Sequence, residues 1–197
     1  MKSAILAASL FLGLAACTPP VSDKPVVPIG DFSLGYNVVV GDQMAKGPLS
    51  RTADTQAIAT SLKTAINERL SRYEGDKLYH VVTHVDMYVM GRAGVPFVFS
   101  PKTALFVSMT VWDDAAQAKL TETPIQLTLL ENSNSKNFLG SGLGQTVEEQ
   151  IQSMAESAAY QIESWLRKQN REQNWFNPDA DVPLYAPTQA AENADAS

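Results

Sequence analysis

The sequence predicts an α+β domain in the order β-α-β-β-β-α, with one mostly antiparallel sheet and two amphipathic helices on one of its faces. Two segments carry apolar residues three and four positions apart, which is the period of a half-buried helix. Other, shorter segments alternate apolar and polar residues, which is the period of a half-buried strand. Because an amphipathic helix must bury its apolar stripe against another layer, both helices are expected to cover the sheet.

The first strand and the first helix are expected between residues 32 and 73. Strand signals begin at Phe32, and the β-branched run at 36–40 ends at Gly41-Asp42. A helix is expected over 54–73, with Asp54 as its N-cap and Gly75 closing it. Its apolar stripe consists of Ile58, Leu62, Ala65, Ile66, Leu70 and Tyr73.

Three longer strands are expected over 78–90, 104–112 and 119–130, with a short edge piece at 97–100 between two prolines. Pro124 indicates an edge or a bulge in the last strand. The faces directed at the helices carry Tyr79, Val81, Val85, Met87, Val89, Leu105, Val107, Met109, Val111, Ile125, Leu127 and Leu129. The opposite face carries His80, Val82, His84, Asp86, Tyr88, Ser108, Thr110, Gln126 and Thr128, and it is expected to be wet or to cover a partner.

A second helix is expected to begin at Thr146, where Thr146 and Glu149 have the spacing of a capping box. The helical period is lost near Gln173, so residues 171–197 are expected to form a mostly disordered acidic tail. The aromatic pairs Trp175-Phe176 and Leu184-Tyr185 either fold back over the domain or serve as docking anchors for a partner.

The N-terminus has the order of a secretory signal peptide. Lys2 supplies a positive charge, the apolar run at 4–14 follows, and Leu14-Ala15-Ala16-Cys17 comes next. About 20 apolar residues are needed to span a bilayer, so this run is too short for a permanent transmembrane helix. Leu14-Ala15-Ala16-Cys17 resembles the lipobox of bacterial lipoproteins.

The lipobox resemblance implies cleavage between Ala16 and Cys17 and attachment of a diacylglyceryl group to the Cys17 sulfur. The alternative is ordinary secretion with a free thiol, which would be exposed in an oxidising compartment. Cys17 is the one cysteine of the chain, so no disulfide framework is expected. We expect a signal peptide at 1–16, a Pro-rich tether at 17–30 that reaches roughly 40 Å at about 3.1 Å per residue, and a single domain at 31–170.

Charge narrows the classes of partner. The formal charge is −6, and loss of Lys2 with the signal peptide makes it −7. With a pI near 4.9, the chain is not expected to bind nucleic acid or to dock electrostatically on anionic lipid heads. Membrane binding is therefore assigned to the lipid on Cys17, and an envelope protein is the expected partner.

Candidate catalytic and metal-binding residues are few. One candidate metal site consists of His80, His84 and Asp86. On a strand that rises about 3.3 Å per residue, the two histidines would lie roughly 13 Å apart, which is too far for both to bind one ion. The Gly-rich segment at 140–146 lacks the spacing of a phosphate-binding loop. Asp113-Asp114 lies on a turn, where adjacent side chains point apart. No metal, cofactor or catalytic residue is predicted.

The whole arrangement looks like that of small bacterial envelope lipoproteins. It is similar to uncharacterised alphaproteobacterial lipoproteins and to auxiliary lipoproteins of envelope transport systems, over about residues 1–170. Thr18 after Cys17 implies the outer membrane, by the sorting rule of enteric bacteria. The resulting hypothesis is a non-enzymatic binding or assembly module that uses either the sheet face around His80, His84, Tyr88 and Thr110 or the tail around Trp175. Two alternatives stay open: self-association through an exposed sheet edge, and an envelope hydrolase with two carboxylates about 5–10 Å apart.

Overall fold

The computed structural model describes residues 25–91, 103–131 and 146–177. They form one six-stranded sheet and two long helices. The elements are β1 (Ser33–Val40), β2 (Ala45–Lys46), α1 (Thr55–Leu70), β3 (Leu78–Val89), β4 (Ala104–Asp113), β5 (Ala118–Lys119), β6 (Ile125–Leu130) and α2 (Val147–Gln173). The predicted α+β class is confirmed.

The sheet is built around the antiparallel pair of β3 and β4. β1 and the short β2 both lie beside β3 and run parallel to it. β5 and β6 both lie beside β4 and run antiparallel to it. The single strand predicted for 119–130 is thus two pieces, and Pro124, which has no N–H to donate to the ladder, directly precedes the second.

Both helices begin as their sequences predict. The Asp54 carboxylate accepts a hydrogen bond from the Gln56 N–H at 2.9 Å. At α2, the Thr146 hydroxyl accepts from the Glu149 N–H, and the Glu149 carboxylate accepts from the Thr146 N–H. This reciprocal arrangement satisfies two N–H groups that the first helical turn leaves without partners.

The prediction that Gly75 closes the first helix is wrong. α1 ends at Leu70 with Ser71 as its C-cap, four residues earlier. The Gly75 N–H donates instead to the Phe32 carbonyl at 3.0 Å. A Cβ at position 75 would lie 2.3 Å from the Phe32 nitrogen, so glycine permits the close approach of the two chain segments.

The core lies between the two helices and one face of the sheet. The predicted stripe of the first helix is buried from Ile58 to Tyr73, and in α2 Ile162 and Leu166 are fully enclosed. Four side chains of β4 are buried in alternation, as predicted: Leu105, Val107, Met109 and Val111.

An aromatic cluster closes the end of the core where the chain enters and leaves the domain. Phe176 is 0% exposed, and its ring centroid lies 5.0 Å from that of Phe32 and 4.8 Å from that of Tyr79. Phe176 therefore folds back over the domain, one of the two predicted outcomes, and is not available as a docking anchor. Leu184 and Tyr185 lie outside the described residues.

Residues close to the expected segment boundaries are part of the folded domain at both ends. α2 continues to Gln173, past the boundary expected at 171. Ile29, placed by the sequence in the tether, is buried, and the Asp31 N–H donates to the Phe176 carbonyl at 2.8 Å. Ala16 and Cys17 lie outside the described residues, so the signal peptide and the lipid site stay predictions.

Candidate functional site

The face of the sheet opposite the helices is formed by side chains that line up in rows across the strands. One row is polar in its middle and runs from Val40 through His84 and Ser108 to Gln126. The next row runs from Val38 through Val82 to Thr110. We call this surface the open face, because within the described residues the two helices pack only on the other side of the sheet.

A shallow depression of about 500 Å³ lies in the middle of the open face. Its lining comes from side chains of β3, β4 and β6 and from Pro124, which directly precedes β6. The lining residues are Val82, His84, Asp86, Ser108, Thr110, Pro124 and Gln126. Sequence alternation placed all of the strand residues in this set on the open face.

A small hydrogen-bond network centres on the Asp86 carboxylate in the depression. The Ser108 hydroxyl donates to one carboxylate oxygen at 2.7 Å, and His84 Nδ1 lies 2.8 Å from the other. Since an ionised carboxylate only accepts, Nδ1 carries the proton of this contact. The carboxylate therefore stands between serine and histidine, whereas nucleophilic catalysis by serine needs the imidazole in the middle. The network positions polar groups and does not build a nucleophile.

His80 belongs to a separate contact at the edge of the open face. Its Nδ1 accepts a hydrogen bond from the Tyr36 N–H at 2.9 Å, so its Nε2 carries a proton and donates to Asp114 at 3.1 Å. The tyrosine ring lies over the imidazole, with centroids 4.9 Å apart. A Cβ at Gly35 would lie 2.3 Å from His80 Nδ1, so glycine is needed at the β-bulge between Leu34 and Asn37.

The structure does not bring the sequence-derived candidates together into a metal site. His84 and Asp86 touch, but His80 contacts Tyr36 and Asp114 instead. In the part of the chain that is described, no group of three or more His, Cys, Asp or Glu side chains is placed to hold a metal ion. Asp113 accepts from the Ala116 N–H within a turn while Asp114 faces His80, so these two carboxylates point apart.

The assignment of Tyr88 to the open face is wrong. Tyr88 is 2% exposed and belongs to the core, where its hydroxyl accepts from the Ala53 N–H. The cause is a register shift in β3 between Val85 and Met87. An extra residue in a strand moves every following side chain to the other face, and the alternation of the sequence does not reveal it.

A buried charge cluster between α1 and α2 was missed by the sequence analysis. The Glu163 side chain is 2% exposed and lies 2.8 Å from Arg69, 3.4 Å from Arg167 and 3.7 Å from Arg72. The Tyr73 hydroxyl donates to the same carboxylate at 2.6 Å and also lies 3.0 Å from the Val27 carbonyl. Burial first, and then the hydrogen bond to Glu163, raise the pKa of Tyr73 to about 12. This cluster ties the helices together beside the entry of the N-terminal segment.

The part of the chain that the structure describes contains no helix of the length and apolar character that a membrane span requires.

Comparisons with known proteins give only distant likenesses. No family model and no curated protein matches the chain. Ten solved chains are similar to it. A candidate lipoprotein from Caulobacter crescentus is 12% identical, over 69% of this chain and 91% of its own, with a TM-score of 0.37. A Xanthomonas campestris protein of the DUF330 family is 10% identical, over 79% and 93%, with a TM-score of 0.39.

A third similar structure is the PelC dodecamer from Paraburkholderia phytofirmans, which is 12% identical over 70% of this chain and 89% of its own, with a TM-score of 0.32.

Proposed function

We propose that this chain is a lipid-anchored envelope protein that binds a protein partner on its open face and catalyses no reaction itself. The observation that carries the proposal is the open face: one side of a six-stranded sheet, uncovered by either helix, with apolar side chains beside a polar depression. The anchor rests on the sequence, where Leu14-Ala15-Ala16 ends the predicted signal peptide and Cys17 follows as the expected lipid-bearing residue.

The composition of the open face suits a protein partner. Tyr36 is 72% exposed, Val38 is 41% exposed and Val82 is 36% exposed, and all three lie on the β1 side of the depression. Protein interfaces combine such apolar and aromatic groups with a polar rim. The carboxylates of Asp86 and Asp114 lie at this surface, so the partner is expected to present a basic rim.

The alternative of an envelope hydrolase is less well supported. Glycoside hydrolysis by carboxylates needs two of them facing each other across a cleft. The depression is lined by one, Asp86, and both of its oxygens are already engaged by Ser108 and His84. A second carboxylate at the required distance is not among the described lining residues.

Site-specific photo-crosslinking in living cells tests the proposal. A photo-reactive amino acid at Thr110, on the open face, should give one reproducible adduct with an envelope protein. The matched control is Gln152, which is exposed on α2. The adduct at Thr110 should disappear in the Val82→Lys variant, because Val82 is directly opposite Thr110 in the sheet and the introduced charge repels a basic rim.

Two outcomes would decide against the proposal. If the photo-reactive amino acid gives the same yield of adduct at Thr110 and at Gln152, the open face is not the partner site. If the Cys17→Ala variant is recovered in the membrane pellet in the same amount as the wild type, Cys17 does not carry the membrane anchor.

A further inference from the structure

The two edges of the sheet differ in how their free backbone groups are protected. At the β6 edge, the Gln161 side chain from α2 donates to the Leu130 carbonyl at 2.6 Å and accepts from the Leu130 N–H at 3.1 Å. Its amide thus takes the place of a neighbouring strand. Pro124 directly before β6 shortens this edge further, and both devices oppose the addition of another strand.

The β1 edge has much less protection. A bridge between Ser33 and Glu74 covers its first residue. From residue 34 to residue 40, the only strand that pairs with β1 in the described part of the chain is β3, on its inner side. This stretch, LGYNVVV, contains no charged residue and no proline, two of the features that discourage strand addition at an edge. A third such feature, a β-bulge, is confined to its start between Leu34 and Asn37, so the regular run at 37–40 is the least protected part of the edge.

The charge distribution favours a second copy of this chain as the occupant of the edge. The chain carries a formal charge of −6, so contact between two copies is repulsive over most of the surface. β1 has no charge, and it contributes Tyr36 and Val38 to the apolar side of the open face, beside Val82 of β3. Pairing of two β1 strands therefore avoids like charges and joins two apolar surfaces into one.

We propose that two copies of this chain pair through their β1 strands, antiparallel and about a two-fold axis normal to the sheet. Such an axis keeps both open faces on the same side of one continuous sheet and pairs open-face residues with open-face residues. In the register centred on Val38, this residue faces itself across the axis and Tyr36 faces Val40 of the other copy. The pairing does not depend on the partner of the open face.

Cysteine crosslinking of the full chain in cells tests the pairing, because Cys17 is the one native cysteine and is expected to be blocked by lipid. A short bis-maleimide crosslinker should convert the Val38→Cys variant into a species with twice the mass of the monomer. The monomer has a mass of 21.4 kDa before processing. The wild type is the background, and Thr128→Cys, on the protected β6 edge, is the matched control. Both substituted positions are solvent-exposed, so we expect both variants to fold.

A second measurement uses the mass of the detergent-solubilised full chain. Val38→Lys places two like charges opposite each other and should lower the dimer fraction about two- to fivefold, whereas Thr128→Lys should not change it. The proposal is overturned if Val38→Cys crosslinks no better than Thr128→Cys, as expected if another segment of the chain covers the edge. The proposal is also overturned if Val38→Cys crosslinks only to a different protein. It is overturned as well if the dimer fraction is the same in Val38→Lys and in the wild type.

Discussion

Glu163 and Asp86 are both carboxylates that bind a hydroxyl and a basic side chain, but they lie in opposite environments. Glu163 is enclosed between the helices and shared by three arginines, whereas Asp86 and its partner His84 are about two-fifths exposed on the open face. Water competes with the contacts of Asp86 and cannot compete with those of Glu163. The same chemistry therefore stabilises the fold at one site and leaves polar groups accessible to solvent at the other.

The largest expected effect comes from removing the buried charge. Glu163→Gln should lower the free energy of unfolding by about 3–5 kcal/mol, because it leaves three guanidinium groups without their shared counter-charge. Chemical denaturation measures this loss. The control is Glu172→Gln, which removes a carboxylate from an exposed pair with Lys168 and should change stability by about 0–1 kcal/mol. A similar loss in both variants would contradict the difference between buried and exposed pairs.

A smaller effect is expected at alkaline pH. The pKa of Tyr73 is raised to about 12 by burial and by Glu163, and that of Tyr79 is raised to about 12 by burial and by nearby Asp113. The folded chain thus holds these protons more tightly than the unfolded chain, whose tyrosines titrate near 10. The resulting stabilisation is complete below about pH 10 and is lost as the pH rises to about 12.

The Tyr73→Phe variant separates the contribution of Tyr73 to stability at alkaline pH from that of Tyr79. It should remain folded at neutral pH, lose about 1.5–3 kcal/mol with the hydrogen bond to Glu163, and show a shallower decline above pH 10. Unfolding experiments at several pH values measure both quantities. An unchanged slope in the variant would show that folding does not raise the pKa of Tyr73.

The smallest effect is expected on the open face. His84→Ala should change the free energy of unfolding by less than about 1 kcal/mol, because its pair with Asp86 is exposed to solvent. Thermal or chemical unfolding checks this, and the photo-crosslink from Thr110 should weaken in the same variant. A loss of stability comparable to that of Glu163→Gln would contradict the division of roles between the two carboxylates.

Sequence patterns predicted the core and the open face where the chain keeps a regular period. The alternation in β4 and the capping box at Thr146 are confirmed because each is determined by residues close together in the chain. The misplacement of Tyr88 has a different origin, since one inserted residue in β3 reverses the face and leaves no mark in composition. Pro124 correctly indicated irregularity before β6.

The contacts that could not be predicted are those between residues far apart in the chain. Glu163 meets Arg69 across 94 positions, and in the sequence it is one polar residue of an amphipathic helix. Phe176 lies just past the last helical turn in a polar segment, so its burial became evident only from the position of Phe32 and Tyr79. Gln161 likewise gives no local signal that its amide protects the β6 edge.

The meeting of the two ends of the described chain has a mechanical consequence. A pull on the N-terminal segment reaches the domain at residues 27–32. The Val27 carbonyl contacts the Tyr73 hydroxyl, Ile29 and Phe32 are buried, and the Asp31 N–H donates to the Phe176 carbonyl. Force must first extract these side chains from beneath the end of α2 before it can peel β1 from β3. The applied force is therefore distributed over the first strand and the last helix. The hydrogen bonds between β1 and β3 do not break one after another until these contacts are lost.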